Sequence, residues 1–310
     1  MKHFPESEFI INADGSVFHL HLQPEQLRDK IILVGDPGRV DLVASFFDTR
    51  EFEVSSREFH TIGGIYKGKS VMCLSHGIGT DNIDIVVNEL DVLANIDFST
   101  RYEKPQFRQL TLVRVGTSGG LQPHVPIGTP VIAEKSIGFD GVLNFYAGRT
   151  FYVEDYLGDQ CHMLNFYAGR DRVCDLDFER AFCEFVKWNP LWAAPYVVDA
   201  DSELVARIGG EDMVRGVTIS ANGFYGPQGR ELRIPLADPE LNKKIEAFKY
   251  GSQVVTNYEM ESSALAGLAK LMGHKAMTVC SIIANRVAHH ANPNYKTAVS
   301  DLIQTVLERI

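Results

Sequence analysis

Arginine stands beside small residues at the ends of apolar segments in this sequence. Arg39 follows the apolar run 31–34 within the turn GDPGR, and Arg114 lies inside the run 110–115, just before GTSGG. A guanidinium binds an oxyanion in a bidentate manner, and glycine lets backbone N–H groups approach the same ligand. An arginine in an apolar strand is costly unless it is paired or functional. The two segments therefore predict an anion site.

Nucleotide-binding motifs give little support to a larger anion. The dinucleotide pattern GxGxxG does not occur, and the Walker pattern GxxxxGK[ST] matches only at 63–70, directly before the apolar run 71–74 rather than before a helix. A small oxyanion is therefore a better candidate ligand than a nucleoside triphosphate or a dinucleotide. A further arginine, Arg57, lies in a polar stretch and on its own is typical of a surface residue.

Two carboxylates, Glu259 and Glu261, precede an apolar segment of helical period. In one interpretation they are ordinary acids of the first helical turn, with Ser262 or Asn257 as the N-cap. In the other, a carboxylate here accepts hydrogen bonds from the vicinal hydroxyls of a sugar. The residues alone leave both interpretations open.

Gln228 and Arg230 lie two residues apart in the segment GFYGPQGR, close to an aromatic residue. Amide and guanidinium groups hydrogen bond well to the edge of a flat heterocycle. The alternative is that this segment, like the other glycine-rich stretches, is only a tight connection between elements.

These side chains need a sheet to position them. Short β-branched runs alternate with amphipathic segments, which is the pattern of an α/β domain with a largely parallel central sheet flanked by helices. Ligands bind at the carboxyl edge of such a sheet, so we place the site at the ends of the runs 31–34, 71–74, 110–115 and 278–283. Helices are predicted over 81–95, 259–272 and 295–310. No linker divides the chain, so residues 1–310 are predicted to form one domain.

Composition excludes several classes of function. Forty acidic and thirty basic residues give a formal net charge of -10, which disfavours nucleic acid and anionic membranes as partners. No apolar stretch is long enough to span a membrane or to serve as a secretory signal, so we expect a cytoplasmic protein. The five cysteines include no CxxC pair and are expected to be reduced thiols.

Two segments depart from the regular pattern. The heptapeptide LNFYAGR occurs at 143–149 and again at 164–170, which a local tandem duplication explains, with an inserted segment near 143–163 as an added surface loop. Residues 99–108, with their charges and a proline, are predicted to form an exposed excursion.

The ordered set of motifs resembles the uridine phosphorylases of the nucleoside phosphorylase superfamily. The segments that carry the resemblance run from VFHL (17–20) through GDPGR, REF, HGIG, RVGTSGG, GFYGPQGR and NYEMES to IIANR (282–286), nearly the whole chain. The resemblance implies a single α/β domain with a twisted sheet. It also implies transfer of a pentosyl group from uracil to inorganic phosphate, so that phosphate is the co-substrate and no redox cofactor is used.

Site roles follow from the same resemblance, motif by motif. The resemblance implies phosphate binding by Gly35, Arg39, Arg114 and Thr117, with Arg57 from a neighbouring subunit of a homodimer or of a hexamer of dimers. It implies ribose binding by Met260, Glu261 and the neighbour's His19, and base binding by Phe224, Gln228, Arg230, Ile283 and Arg286.

Some relatives bind a monovalent cation such as K⁺ at a subunit contact, which here corresponds to Glu58, Ile78 and Asn82. Relatives carry serine at the last of these positions, so the asparagine is a departure from their pattern. The order of Gly226 and Pro227 and the glycine at 229 also depart from it.

Three alternative functions remain at this stage. A purine nucleoside phosphorylase or a hydrolytic nucleosidase is the nearest, but such relatives use an aspartate where this chain has Asn285, and asparagine cannot donate a proton in that way. A nucleoside-binding regulatory protein is the third alternative. The sequence does not distinguish uridine from thymidine or deoxyuridine, nor a dimer from a hexamer.

Overall fold

The computed structural model describes residues 2–146, 151–154, 161–164, 173–288, 290–292 and 294–310. The strands are β1 Lys30–Val34, β2 Thr49–Ser56, β3 Phe59–Tyr66, β4 Lys69–Ser75, β5 Ile96–Asp97, β6 Tyr102–Glu103, β7 Thr111–Gly120, β8 Pro130–Gly138, β9 Phe151–Glu154, β10 Cys161–Leu164, β11 Tyr196–Asp199, β12 Val214–Ser220, β13 Lys249–Tyr250, β14 Gln253–Glu259, β15 Lys275–Asn285 and β16 His290–Ala291. The helices are α1 Pro37–Ala44, α2 Thr80–Asn95, α3 Leu176–Val186, α4 Ser202–Ile208, α5 Leu241–Ala247, α6 Ser262–Met272 and α7 Lys296–Arg309.

The main sheet has the strand order β13-β14-β12-β8-β15-β7-β1-β4-β3-β2. Its centre is parallel, since β1 pairs in this sense with both β4 and β7, and β7 with β15. The sheet as a whole is mixed, because β2, β3 and β4 form an antiparallel meander at one edge and β8 runs antiparallel to β15. The predicted α/β architecture is confirmed, with parallel pairing in two blocks, β14-β12-β8 and β15-β7-β1-β4.

Five strands of this sheet close into a ring. Besides their neighbours in the strand order, β14 and β7 pair with each other, with Asn257 opposite Gly120 and Tyr258 opposite Gly119. This closure brings the carboxyl end of β14 to the carboxyl half of β7. The predicted arginine and carboxylate segments are thereby brought together.

Helices cover the sheet through separate apolar clusters. On one side α2 and α6 bury leucine, isoleucine and valine side chains against β1 and β7. Residues of α1, α4 and α7 form a second cluster with other side chains of the same strands. The third cluster packs aromatic side chains of α3 against β12 and β14. No helix in the described part of the chain is both long and apolar enough to cross a bilayer.

Two predicted boundaries are wrong for one physical reason. β7 does not end before Gly116 but continues to Gly120, and the predicted helix 259–272 begins only at Ser262, because Glu259 is still paired in β14. In both places tertiary pairing overrides the local signal. The predicted helices at 81–95 and 295–310 are confirmed within one residue.

The other local expectations can be placed. Most side chains of the segment 99–108 are exposed, as predicted. Cys73, Cys174 and Cys280 are buried, and Cys183 is half-buried. The second LNFYAGR copy lies outside the described residues except for Leu164, which ends β10.

The described part of the first copy, residues 143–146, is built into the protein. Leu143 is fully buried in the cluster of α2 and α6, and a Cβ added to Gly267 of α6 would lie only 2.8 Å from its side chain. The Tyr146 hydroxyl donates to Asp84 of α2 and accepts from Asn88 Nδ2 at 3.0 Å.

We expect Leu143→Ala to lower the free energy of unfolding by roughly 2–5 kcal/mol, because it leaves a cavity between two helices. The matched control is Phe145→Ala in the same helical turn, where the side chain is 90% exposed and the change should stay within about 0.5 kcal/mol. Urea unfolding of both variants measures the difference. Equal losses would show that the first copy does not pack as described.

Candidate active site

A cavity of about 660 Å³ opens at the carboxyl ends of the central strands. Its walls come from the ends of β1 and β4, from the second half of β7, from the β14–α6 junction and from the loop after β12. Ten of the predicted site residues line it: Gly35, Arg39, Arg114, Thr117, Phe224, Gln228, Arg230, Met260, Glu261 and Ile283. The sheet thus brings into one place segments that are far apart in the sequence.

Arg39 lies at one end of this cavity, in the first turn of α1. The Asp36 side chain caps α1 by accepting from the N–H of Gly38 at 2.9 Å, which fixes the turn that carries the arginine. Arg39 Nη1 donates to the carbonyl of Val115 in β7 at 3.3 Å, so its guanidinium is directed across the strand ends. Burial and the nearby charge of Arg114 lower the pKa of Arg39. Two cations held this close favour an anion between them.

Arg114 is buried among acceptors. Its Nη1 lies 2.9 Å from Glu259 Oε2 and 3.5 Å from Cys280 Sγ, its Nη2 donates to Glu261, and its Nε donates to His76 Nε2 at 3.2 Å. Burial alone would lower the pKa of Arg114, but the charges of Glu261 and Glu259 outweigh that effect and raise it. The guanidinium is therefore fully charged and fixed on three sides.

Gly116 makes room for this guanidinium. A Cβ at this position would lie 2.7 Å from Arg114 Nη1, closer than side chains tolerate. The glycine that the sequence suggested as the end of a strand is instead a strand residue that lets an arginine fold back over its own backbone.

Glu259 joins the strand to the helix that follows. Its Oε1 accepts from the hydroxyls of Ser220 at 2.5 Å and Ser262 at 2.7 Å, and its Oε2 accepts from the backbone N–H of Glu261 at 2.9 Å. One interpretation of the sequence expected Ser262 or Asn257 to cap α6. Neither does, because the Glu259 carboxylate accepts from N–H groups at the start of that helix.

Glu261 faces the cavity with one side of its carboxylate. Oε1 accepts from the N–H of Gly79 at 2.8 Å, and Oε2 accepts from Arg114. Burial raises the pKa of Glu261; Arg114 opposes this shift and the negative charge of Glu259 adds to it. A carboxylate in this position can accept hydrogen bonds from hydroxyl groups of a ligand that enters the cavity.

The far end of the cavity carries an amide and a guanidinium. Arg230 Nη1 donates to Gln228 Oε1 and to the carbonyl of Phe224, both at 2.5 Å, and its Cζ lies 3.8 Å from the centre of the Phe224 ring. Burial and the charge of Arg286 lower the pKa of Arg230 to about 10. With Oε1 of Gln228 bonded, its amide N–H groups remain for a ligand.

Arg286 does not line the cavity, although it was predicted to lie beside the base. Its guanidinium donates to the backbone carbonyls of Gln228 and, at 2.9 Å, of Gly229. Gly229 has φ +65°, a conformation that favours glycine, and a Cβ there would meet Asn242 at 2.3 Å. The departure from the family pattern at this position thus has a conformational reason, and Arg286 supports the loop from behind.

His19 and Arg57 also lie outside the cavity, on an outer surface of the same chain. The Arg57 Cζ is 5.6 Å from the centre of the exposed Phe18 ring, which in turn packs at 4.7 Å against His19. Glu89 accepts from His19 Nδ1 at 2.6 Å and from its backbone N–H. The two residues predicted to serve a neighbour are brought together, away from this chain's own site.

The residues predicted to bind a monovalent cation lie at the rim of the cavity. Glu58, Ile78 and Asn82 all line it, around Gly77. However, Asn82 Nδ2 donates to the carbonyl of Ile78, at 3.5 Å. The Asn82 amide thus faces the Ile78 carbonyl, and a monovalent cation at these three residues stays a prediction.

Comparison with known proteins agrees with this geometry. A sequence profile of the phosphorylase superfamily matches residues 29–310. This chain belongs to the phosphorylase superfamily. A uridine phosphorylase of Thermococcus kodakarensis is 26% identical over 295 residues, covering 93% of this chain and 84% of the relative. A uridine phosphorylase of Escherichia coli is 28% identical over 292 residues, 92% of each chain.

A solved structure is similar over almost the whole chain. It is that of a Trypanosoma brucei nucleoside phosphorylase with uridine phosphorylase activity, with a TM-score of 0.83 and 26% identity over 97% of this chain and 98% of that one. The family resemblance and the fold inferred from the sequence motifs are thereby confirmed.

Three residues that support this phosphorylase-superfamily site were not predicted to have the partners that the structure shows. Glu259 and His76 bind Arg114, and Glu89 holds His19. The only signals available were an acid at a strand-to-helix junction and a histidine directly after the apolar run 71–74. Neither signal indicates a partner.

We expect Glu259→Gln to destabilise the protein by roughly 3–5 kcal/mol, because it neutralises a partner of the buried Arg114 that also accepts from Ser220 and Ser262 at the start of α6. The matched control is Glu261→Gln, which neutralises the other partner of Arg114 but makes none of the bonds to these serines, so it should lower the free energy of unfolding by less. Denaturant unfolding at neutral pH measures both. The same loss in the two variants would contradict the distinct roles of the two glutamates.

Proposed function

We propose that this chain is a pentosyltransferase that splits uridine, or a close pyrimidine nucleoside, with inorganic phosphate to give uracil and ribose 1-phosphate. The observation that carries the proposal is that one cavity, in a member of the phosphorylase superfamily, is lined by three kinds of group. Arg39 and Arg114 are cations for phosphate, Glu261 is an acceptor for the ribose hydroxyls, and Gln228 with Arg230 are donors for the base.

The proposed reaction needs no protein nucleophile. Phosphate held by Gly35, Arg39, Arg114 and Thr117 attacks the anomeric carbon from one face while uracil leaves from the other. Ribose is oriented by Met260 and Glu261. Gln228 and Arg230 donate to the uracil oxygens, where negative charge grows in an oxocarbenium-like transition state, and Phe224 and Ile283 pack against the ring. Positioning and electrostatic stabilisation supply the rate.

Cofactors have no part in the proposed steps. Phosphate is a co-substrate and every charge that the steps require comes from the side chains named above. Since the Asn82 amide faces the Ile78 carbonyl, no step is assigned to a monovalent cation.

Asn285 favours a pyrimidine over a purine substrate. Purine-specific relatives resembling this chain use an acid here, but Asn285 Nδ2 donates to the carbonyls of Gln122 and Val125, and its Oδ1 accepts from the N–H of Ala288. The side chain is buried and fully bonded away from the cavity, so it has no proton to give to a purine.

The phosphorylase proposal predicts that turnover requires phosphate and that uridine is cleaved at least roughly tenfold faster than inosine, because the site holds an anion and lacks an acid for the purine. Release of uracil and of hypoxanthine is followed by chromatography, each with and without phosphate. Turnover without phosphate would indicate a nucleosidase, and faster inosine cleavage a purine phosphorylase. Tight nucleoside binding without turnover would support the third alternative, a nucleoside-binding regulatory protein.

We further propose that each site is completed by a second copy of the chain. Arg57 and His19 share an exposed surface and do not line their own cavity. In the family that the sequence resembles, equivalent residues reach the phosphate and the 5′ hydroxyl of the neighbour. Two copies related by a twofold axis would exchange both residues reciprocally.

The shared site predicts complementation between two variants. Arg57→Ala and Glu261→Ala are each expected to be nearly inactive, whereas refolding them together should restore roughly a quarter of wild-type activity, since half of the dimers are mixed and each mixed dimer holds one intact site. Mass spectrometry confirms the mixed dimers. If both residues served the same chain, every site would carry a mutation and mixing would restore nothing.

A further inference from the structure

His76 is a fully buried histidine at the back of the cavity for which the proposed reaction has no role. It directly follows β4, and its backbone N–H donates to the carbonyl of Val34 at the end of β1 at 2.8 Å. Its ring packs behind the phosphate turn, since a Cβ on Gly35 would lie 3.7 Å from His76 Cε1. One side chain therefore touches both the proposed phosphate turn and the guanidinium of Arg114.

The hydrogen bond to Arg114 determines the protonation of this ring. An arginine Nε–H can only donate, so His76 Nε2 must accept and the single ring proton must lie on Nδ1. Burial lowers the pKa of His76 far below its usual range, and the charges of Arg114 and Arg39 lower it further. Nδ1 is buried and makes no hydrogen bond of ordinary geometry among the described residues, although the backbone of Gly77 lies near the ring and opposes part of the lowering of its pKa. The ring is thus held as a neutral acceptor toward Arg114.

The partners of Arg114 show what this acceptor does. Nη1 faces Glu259 and Cys280, Nη2 faces Glu261, and Nε is satisfied by His76 alone. Nη2 carries two hydrogens and has one acceptor in the described part of the chain, so its second hydrogen is the donor left for a ligand. The direction of that hydrogen depends on the plane of the guanidinium, which the bond at Nε fixes together with the ion pairs at Nη1 and Nη2.

We infer that His76 is a positioning residue for phosphate binding: its neutral ring holds the Nε of Arg114 so that the free Nη2–H points into the cavity. This inference rests on the proposed function, because it takes phosphate as the ligand of Arg114. A carboxylate in the place of His76 would also accept from Nε, but it would add a third negative charge to a cluster that already holds Glu259 and Glu261. A neutral acceptor satisfies the bond and adds no further negative charge to the cluster.

The inference is tested with three variants of the full-length protein. His76→Leu removes the acceptor, and His76→Gln restores one at a similar distance from the backbone. His274→Leu is the matched control, because His274 is also buried and bonded, to Asp91 at 3.1 Å and to the N–H of Leu110 at 3.1 Å, but its bonds do not involve Arg114. Inorganic phosphate is titrated by calorimetry, KM is measured separately for phosphate and for uridine, and Tm is recorded for each variant.

We expect His76→Leu to bind phosphate roughly 10- to 100-fold more weakly, the usual effect of losing a hydrogen bond to a charged group. KM for uridine should change less than about threefold, and His76→Gln should recover most of the phosphate affinity. His274→Leu should lower Tm without weakening phosphate binding. If His76→Leu does not fold, His76→Met, whose adaptable side chain fills the same space, replaces it in the comparison.

Wild-type phosphate affinity in His76→Leu or His76→Met would overturn the inference and leave the proposed function standing. A folded His76→Gln that binds phosphate as weakly as the leucine variant would also overturn it, because the acceptor would then not be what matters. Equal rises in KM for phosphate and for uridine would indicate a structural role and overturn it too. A wild-type protein that binds no phosphate would instead refute the proposed function, and the inference with it.

Discussion

The burial of one guanidinium is the constraint on which the site depends. Arg114 lies inside a central strand with about 5% of its side chain exposed, and a charge taken out of water needs counter-charges with good geometry. Both counter-charges come from one place, the junction between β14 and α6. The junction can reach Arg114 only because β14 pairs with β7 and closes the ring of five strands. The pairing of β14 with β7 therefore does two things: it closes the ring of strands, and it supplies Arg114 with its counter-charges.

The fold could be predicted from the sequence where local signals and tertiary structure agree. The helices predicted over 81–95 and 295–310 are such places, since α2 and α7 agree with these ranges within one residue. Prediction failed where a glycine marks close packing rather than a chain reversal. Gly116 is a strand residue because the Arg114 guanidinium lies against its backbone, and that contact involves a side chain whose orientation the local sequence does not reveal.

Less of the candidate site than of the fold could be predicted from the residues alone. Clustered arginines indicated an anion, but the sugar, the base and the contribution of a second chain came from family resemblance. The supporting residues could not be inferred at all. Glu259 acts through Ser220, Ser262 and Arg114, which belong to three different elements, and His76 acts through Arg114 alone. Such roles depend on contacts between residues that are distant in the sequence. The type of a residue does not indicate which residue it will contact.

Charge balance explains why the cavity of a single chain would be an incomplete phosphate site. The charges of Arg39 and Arg114 are offset by those of Glu259 and Glu261, and the neutral ring of His76 adds nothing. A phosphate ion with a charge of about -2 would therefore meet a cluster with no net positive charge. Another cation at the mouth of the cavity would correct this balance, and Arg57 on an exposed surface is free of any competing carboxylate among its described contacts. Placing that cation on a second copy would also couple assembly to binding, because only paired chains would bring enough positive charge to the anion.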